Sequence, residues 1–301
     1  MKTYPAKLLL FGEYGLLFGA KALAIPFPKF SGYFTFFDQA KAESRQLESA
    51  AELARFAAWF QGEQIALKMN FPLRIEDLNA DLSNGLYYQS DVPLQYGVGS
   101  SGSLCAALYD AYGTCDLPDS PQADFSLKLK GDFVLLESYF HGRSSGLDPL
   151  VAYLNRPVLL EGGRISLPEL DLPSQPWSVH LFDTGMTGPT APLVKLFFEK
   201  MNHKPYSSRF YTEYLPVNNA AIDAFMVNNK DRFFEALEKL QRFQLKHFAE
   251  MFPASCLPSV SELSKTSAFV KLLGSGGGGY LLVFSPDGSE LFDTKKSFRI
   301  F

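Results

Sequence analysis

The stretch from Val92 to Tyr112, VPLQYGVGSSGSLCAALYDAY, constrains this chain more than any other. A glycine-serine loop opens there straight into an apolar, alanine-containing segment of helical character. Glycines at 97, 99 and 102 let the backbone approach an anion closely. The first amides of a helix have no internal partners and point outward at partial positive potential. The pattern therefore predicts a phosphate cradle at a helix N-terminus. Ser100 and Ser101 stand where such a helix is capped, and capping alone is the plainer reading of that pair.

A chain of 301 residues is long for one core, so two packed domains are expected. Its 28 Phe and 14 Tyr supply ample apolar area for filling them. A net charge of −4 argues against nucleic acid as a partner, because phosphate-backbone binding draws on a surplus of Lys and Arg. The basic cluster Lys295, Lys296 and Arg299 reads instead as a solvated face. Cys105, Cys115 and Cys256 lack C-x-x-C spacing and read as buried thiols in a reducing compartment. Without an apolar run of membrane length or a signal-peptide pattern, the cytoplasm is the expected location and no membrane partner is expected. Histidines at 141, 180, 203 and 247 are too scattered for a zinc pair.

Lys7–Phe11 and Phe30–Phe37 read as strands, and alanines and leucines at helical spacing predict a helix over Gln46–Phe60. Strand-like pieces at Phe71–Ile75 and Leu86–Gln89 lead to the glycine loop, and a helix is expected over Gln122–Tyr139, weakened by Gly131. Proline-rich RISLPELDLPSQP, residues 164–176, is the best boundary, giving domains 1–165 and 166–301. Beyond it come strand SVHLFD, helices near Ala191–Met201, Tyr206–Val227 and Lys230–Met251, and strands AFVKLL and YLLVF around GSGGGG. The class is α+β in two domains.

Two segments, Gly97–Gly102 and Gly274–Gly279, fit G-x-G-x-x-G, but neither lies between a buried strand and a helix as a dinucleotide fold requires. Gly142-Arg143-Ser144-Ser145-Gly146 fits the G-x-S-x-G elbow, so a serine hydrolase on Ser144 is a rival reading. Glu137 and Asp148 are eleven residues apart across a glycine-containing turn, so both carboxylates can face one point. One could bind Mg²⁺ and the other take a hydroxyl proton, the two tasks of phosphoryl transfer; a surface role for both is equally open at this point.

KLLLFGEYGLLFGAKALA, VPLQYGVGSSGSLCAAL, ESYFHGRSSGLDPLVAY and KLLGSGGGGYLLVF occur in the order of the motifs of the GHMP kinase superfamily, which the chain resembles from Lys7 to Phe284. The glutamate followed by HG-x-x-SGLD looks most like mevalonate kinases. The resemblance implies an N-terminal ribosomal protein S5 domain 2-like domain, a ferredoxin-like C-terminal domain, and ATP and Mg²⁺ as cofactors. By the same resemblance, Gly97, Gly99, Ser100, Ser101 and Gly102 would cradle the ATP phosphates, with Gly276 and Gly277 of the last loop packed beneath. Ser101 and Glu137 would hold Mg²⁺, Asp148 would deprotonate the acceptor hydroxyl, and Lys7 would stabilise charge beside it. Glu13, Tyr14, His141, Ser145 and Thr190 fall on the acceptor side. The implied partner is a small-molecule hydroxyl substrate, with mevalonate the first expectation, phosphomevalonate or another GHMP acceptor the alternative, and a homodimer left open. Gln95 stands where the family has the first glycine of its loop, and Tyr14 where many mevalonate kinases have histidine. A non-catalytic nucleotide-binding member is the remaining rival.

Overall fold

Strand β1 (Tyr4–Phe11) is buried along its whole length in the computed structural model of the chain, which describes residues 2–118, 121–188, 190–257, 260, 268–287 and 297–301. Strand β2 (Ala22–Phe36) follows, with its segment Gly32–Phe36 paired antiparallel to β3 (Leu86–Ser90). Between β2 and β3 lie helices α1 (Ser44–Gly62) and α2 (Ile75–Ser83). Helix α1 opens on a reciprocal capping box in which Glu43 and Gln46 satisfy each other's backbone amides. The strand expected at Phe71–Ile75 is not formed: a single bridge joins Leu73 to Gly113, and Ile75 already begins α2. Pro72 removes a ladder donor, and Glu76 and Asp77 in the first turn favour the helix start.

Helix α3 (Ser100–Tyr112) starts from Gly99, whose φ of 78° places it in the left-handed region. Helix α4 (Ala123–His141) runs unbroken through Gly131. The next residue, buried Asp132, fastens it by accepting the amides of Asn70 at 2.7 Å and Phe71 at 2.9 Å. Helix α5 (Leu147–Leu154) completes the group, and Tyr109, Phe133 and Tyr153 meet with ring centroids 5.1–5.7 Å apart. A Cβ at Gly102 would lie 2.8 Å from both the carbonyl carbon and the Cβ of Asp148, so only glycine permits the first turns of α3 and α5 to touch.

Strands β4 (Val158–Glu161) and β5 (Arg164–Ser166) form a hairpin, and β4 pairs with Ala22–Ala24 of β2. The first sheet has the order β1-β2-β4-β5, with β3 also on β2. Next come β6 (Ser178–Asp183), α6 (Thr190–Met201), α7 (Lys204–Arg209), α8 (Leu215–Met226) and α9 (Lys230–His247). The helix expected over Tyr206–Val227 is divided by a π turn at Phe210–Tyr214. Pro216 cannot donate to the preceding turn, and the wider coil turns the fully buried rings of Phe210 and Tyr214 inward together. Strands β7 (Phe269–Leu272), β8 (Tyr280–Ser285) and β9 (Ser297–Arg299) build a second antiparallel sheet in the order β7-β8-β6-β9. Arg299 is exposed on β9, whereas Lys295 and Lys296 lie outside the described residues.

The chain divides into two compact units interleaved in sequence: residues 1–7, 25–93 and 99–156 form the first, and 8–24, 94–98 and 157–301 the second. A contiguous cut at 165 does not express this interleaving. Residues 8–24 go with the second unit because Ala22–Ala24 pair with β4 and Phe11 packs against Phe225, Phe233 and Phe284.

In that second unit Glu13 and Lys271 form an ion pair with both side chains essentially inaccessible to water. Lys271 also donates to the Leu272 carbonyl at 2.7 Å and lies over the Phe11 ring. Removing one partner of a buried pair leaves the other charge uncompensated. Lys271→Met is therefore expected to lower stability by about 3–5 kcal/mol in urea unfolding, and the double change Glu13→Leu with Lys271→Met to recover much of that loss.

Candidate active site

In the first unit, five of the sequence-selected side chains converge where α3 and α5 begin. Lys7, on β1 and 4% exposed, places Nζ 3.2 Å from Asp148 Oδ2 in the first turn of α5. A Cβ at Gly99 would stand 2.9 Å from Lys7 Cγ and 3.4 Å from Asp148 Oδ2, so the absent side chain is what brings this pair against the start of α3. Ser101 Oγ donates to Glu137 Oε1 at 3.1 Å and shares a 2.9 Å hydrogen bond with His141 Nε2. Ser144 donates to the other Glu137 oxygen, Oε2, and accepts from the Gly146 amide at 2.9 Å.

Glu137 is the electrostatic centre of the cluster. It is 3% exposed, and its carboxyl is pushed up to about 8, first by burial and then by the neighbouring Asp148; Ser144, Ser101 and Lys7 oppose the shift. Burial likewise lowers the His141 imidazole, against the pull of Asp148. Two carboxylates and one lysine in a partly dry site leave room for a further positive charge. The donors on offer, a serine hydroxyl and a carboxylate, are all oxygen and suit a hard divalent cation. Among the described residues no group of three or more His, Cys, Asp and Glu could hold a metal alone. Mg²⁺ takes one or two protein oxygens and completes its shell from phosphates and water.

The remaining sequence-selected residues have other surroundings. Ser100 is the first residue of α3, and Ser145 Oγ accepts from the Leu147 amide at 3.3 Å, a local turn at the start of α5. Gly97 belongs to the second unit, where a Cβ would lie 2.9 Å from the Leu273 carbonyl oxygen. Gly276 and Gly277 have φ of 74° and 80°; the Gly277 amide donates to the Met251 carbonyl at 2.6 Å, and its α-carbon faces Leu193. Glu13 is turned inward onto Lys271. Tyr14 is 6% exposed, stacks on Phe197 at 4.4 Å and donates its hydroxyl to the Ser275 carbonyl at 2.7 Å. Thr190 Oγ1 accepts from Ser275 Oγ at 3.2 Å. Tyr14 and Thr190 thus both hold the last glycine loop at Ser275. Gln95 takes φ of 61°, a left-handed backbone that explains why a glycine suits this position.

Two participants escaped the sequence reading. Lys271 carried a legible signal, a lone charge inside the apolar run AFVKLL. Ser144 was weighed only as a nucleophile. Helix α4, not a strand, leads into its G-x-S-x-G segment, and its hydroxyl is committed to Glu137 and the Gly146 amide. The elbow and base that a serine hydrolase needs at Ser144 are thus missing among the described residues.

The two-domain α+β fold that holds these side chains is the GHMP kinase fold expected from the sequence. Comparison with known proteins gives that class particular members. The mevalonate kinase of Pyrococcus furiosus is 24% identical over 310 residues, spanning 94% of this chain and 88% of the relative. Among solved structures, L. major mevalonate kinase in complex with R-mevalonate superposes with a TM-score of 0.63 at 17% identity, covering 94% of this chain and 86% of that one. Streptococcus pneumoniae phosphomevalonate kinase in complex with phosphomevalonate and AMPPNP gives 0.61 at 16% identity, covering 99% of both chains. Lactococcus lactis galactokinase complexed with galactose gives 0.61 at 13% identity, over 95% and 85%. No family model matches the chain.

The Glu137 shift has a stability consequence of definite sign. Its folded value lies above the unfolded 4.5, so the folded state holds a proton that the unfolded state releases between 4.5 and about 8. Its contribution is complete below the unfolded value and is lost as pH rises through the folded one. The melting temperature of the metal-free protein, followed against pH, should therefore show a decline across this window that Glu137→Gln removes.

Proposed function

We propose that this chain is an ATP-dependent small-molecule kinase that transfers the γ-phosphoryl group of ATP to a hydroxyl of mevalonate, in isoprenoid-precursor synthesis. The observation that carries the reading is the convergence in the first unit: Lys7 on Asp148, and Ser101 on Glu137, at the glycine-opened start of α3. The Pyrococcus furiosus relative supports mevalonate as acceptor over a phosphorylated or sugar hydroxyl.

In this reading the amides at the start of α3 bind phosphate oxygens, and Gly99 and Gly102 let Lys7, Asp148 and the start of α5 close against that helix. Ser101 and Glu137 hold Mg²⁺, which when bound neutralises charge on the transferring phosphoryl group. Asp148 accepts the proton of the acceptor hydroxyl. Lys7, 3.2 Å away, pairs with Asp148 and faces the negative charge that develops as the hydroxyl oxygen attacks. Burial of Lys7 keeps that charge from being screened by water.

ADP release measured with Mg-ATP against mevalonate, phosphomevalonate, homoserine and galactose is expected to select mevalonate; selection of phosphomevalonate would overturn the acceptor, and release with none would overturn the kinase. Asp148→Asn should leave nucleotide binding near that of the unaltered protein while turnover falls by about 10²-fold or more. Retained turnover in that variant would remove Asp148 from the base role.

A further inference from the structure

We infer that Ser144 is a positioning residue that fixes the plane of the Glu137 carboxylate for a divalent cation. The inference rests on the kinase reading above and extends it to a residue that reading leaves without a task. Glu137 carries one hydroxyl donor on each oxygen: Ser101 on Oε1 and Ser144 on Oε2. A glutamate carboxylate turns easily about its last torsion, since that sp³–sp² bond has broad preferences. A single donor leaves this rotation available, whereas two donors on opposite oxygens fix it.

Ser144 is itself immobilised. Its oxygen accepts the Gly146 amide at 2.9 Å, which orients the hydroxyl, and its single proton is given to Glu137. Gly146 is the residue from which α5 begins, at φ of 69°, and a Cβ there would stand 3.0 Å from the amide nitrogen of Val134 on α4. The serine therefore ties the carboxylate on α4 to the start of the helix that carries Asp148. One hydroxyl thus links the carboxylate on α4 to the residue from which the helix carrying Asp148 starts. Outer partners of this kind set the orientation of a ligating carboxylate, and their loss typically weakens metal binding about 10–100-fold.

The test is Mn²⁺ binding, followed by the electron paramagnetic resonance of free Mn²⁺, with AMPPNP saturating, for the unaltered protein, Ser144→Ala and Ser144→Thr. Ser144→Ala is expected to weaken Mn²⁺ binding by about 10-fold or more, and Ser144→Thr, which keeps the hydroxyl, to restore it to within about 3-fold. Folding of each variant is checked by its metal-free melting curve, so that a collapsed Ser144→Ala protein leaves the threonine variant and Ser144→Cys, a far weaker donor, to decide. Equal Mn²⁺ affinity in the alanine and unaltered proteins, or loss in the threonine variant as large as in alanine, overturns the role of Ser144. Failure of the unaltered protein to bind Mn²⁺ with AMPPNP overturns the kinase reading instead.

Discussion

Keeping one carboxylate dry is the condition on which the first unit's arrangement depends. Glu137 sits beside a second acid, and burial alone makes its charge costly. Everything around it can be understood as compensation. Ser101 and Ser144 each satisfy one oxygen, and Lys7 balances Asp148. These partners come from β1, α3 and the turn before α5, so the carboxylate is acceptable only when those elements have docked. Gly102 allows that docking, because the first turns of α3 and α5 approach more closely than any side chain at that position permits. A chemical requirement and a packing requirement thus meet within a few residues.

Much of this was readable from residues alone. The glycine-serine loop gave the start of α3, with Gly97 and Gly99 before it and Gly102 in its first turn, and the boundaries of α1, α4 and α6 lie close to those expected. The fold was legible through motif order, which is independent of local propensity. Pairing was less legible. The strand expected at Phe71–Ile75 has β-forming residues, yet the acidic first turn of α2 and Pro72 outweigh them. Strand β9 is short and polar enough to give no periodic signal.

Side-chain direction was the least legible property of all. Lys7, Ser101, Glu137, His141 and Asp148 lie together, Lys7 from the middle of β1, Ser101 and Asp148 from the first turns of α3 and α5, and Glu137 and His141 from the last turns of α4. Glu13 and Tyr14 are adjacent to a similar turn, yet both point inward, one to Lys271 and the other to Ser275 and Phe197. Their direction is decided by residues more than 180 positions away in sequence, which no local spacing can report. The second glycine loop gains from this, since Tyr14 and Thr190 fasten it at Ser275 and Met251 at Gly277.

The interleaving of the two units bears on how the protein is born. On the ribosome, every segment of the first unit has been made once residue 156 has emerged, so its core can close early. Residues 8–24 are synthesised before their partners on β4, α8, α9 and β8. A largely apolar segment must therefore wait, with Phe11 and its neighbours uncovered, until the rest of its unit exists. Chaperone dependence during synthesis should accordingly concentrate in residues 8–24, far in sequence from the region whose completion ends it.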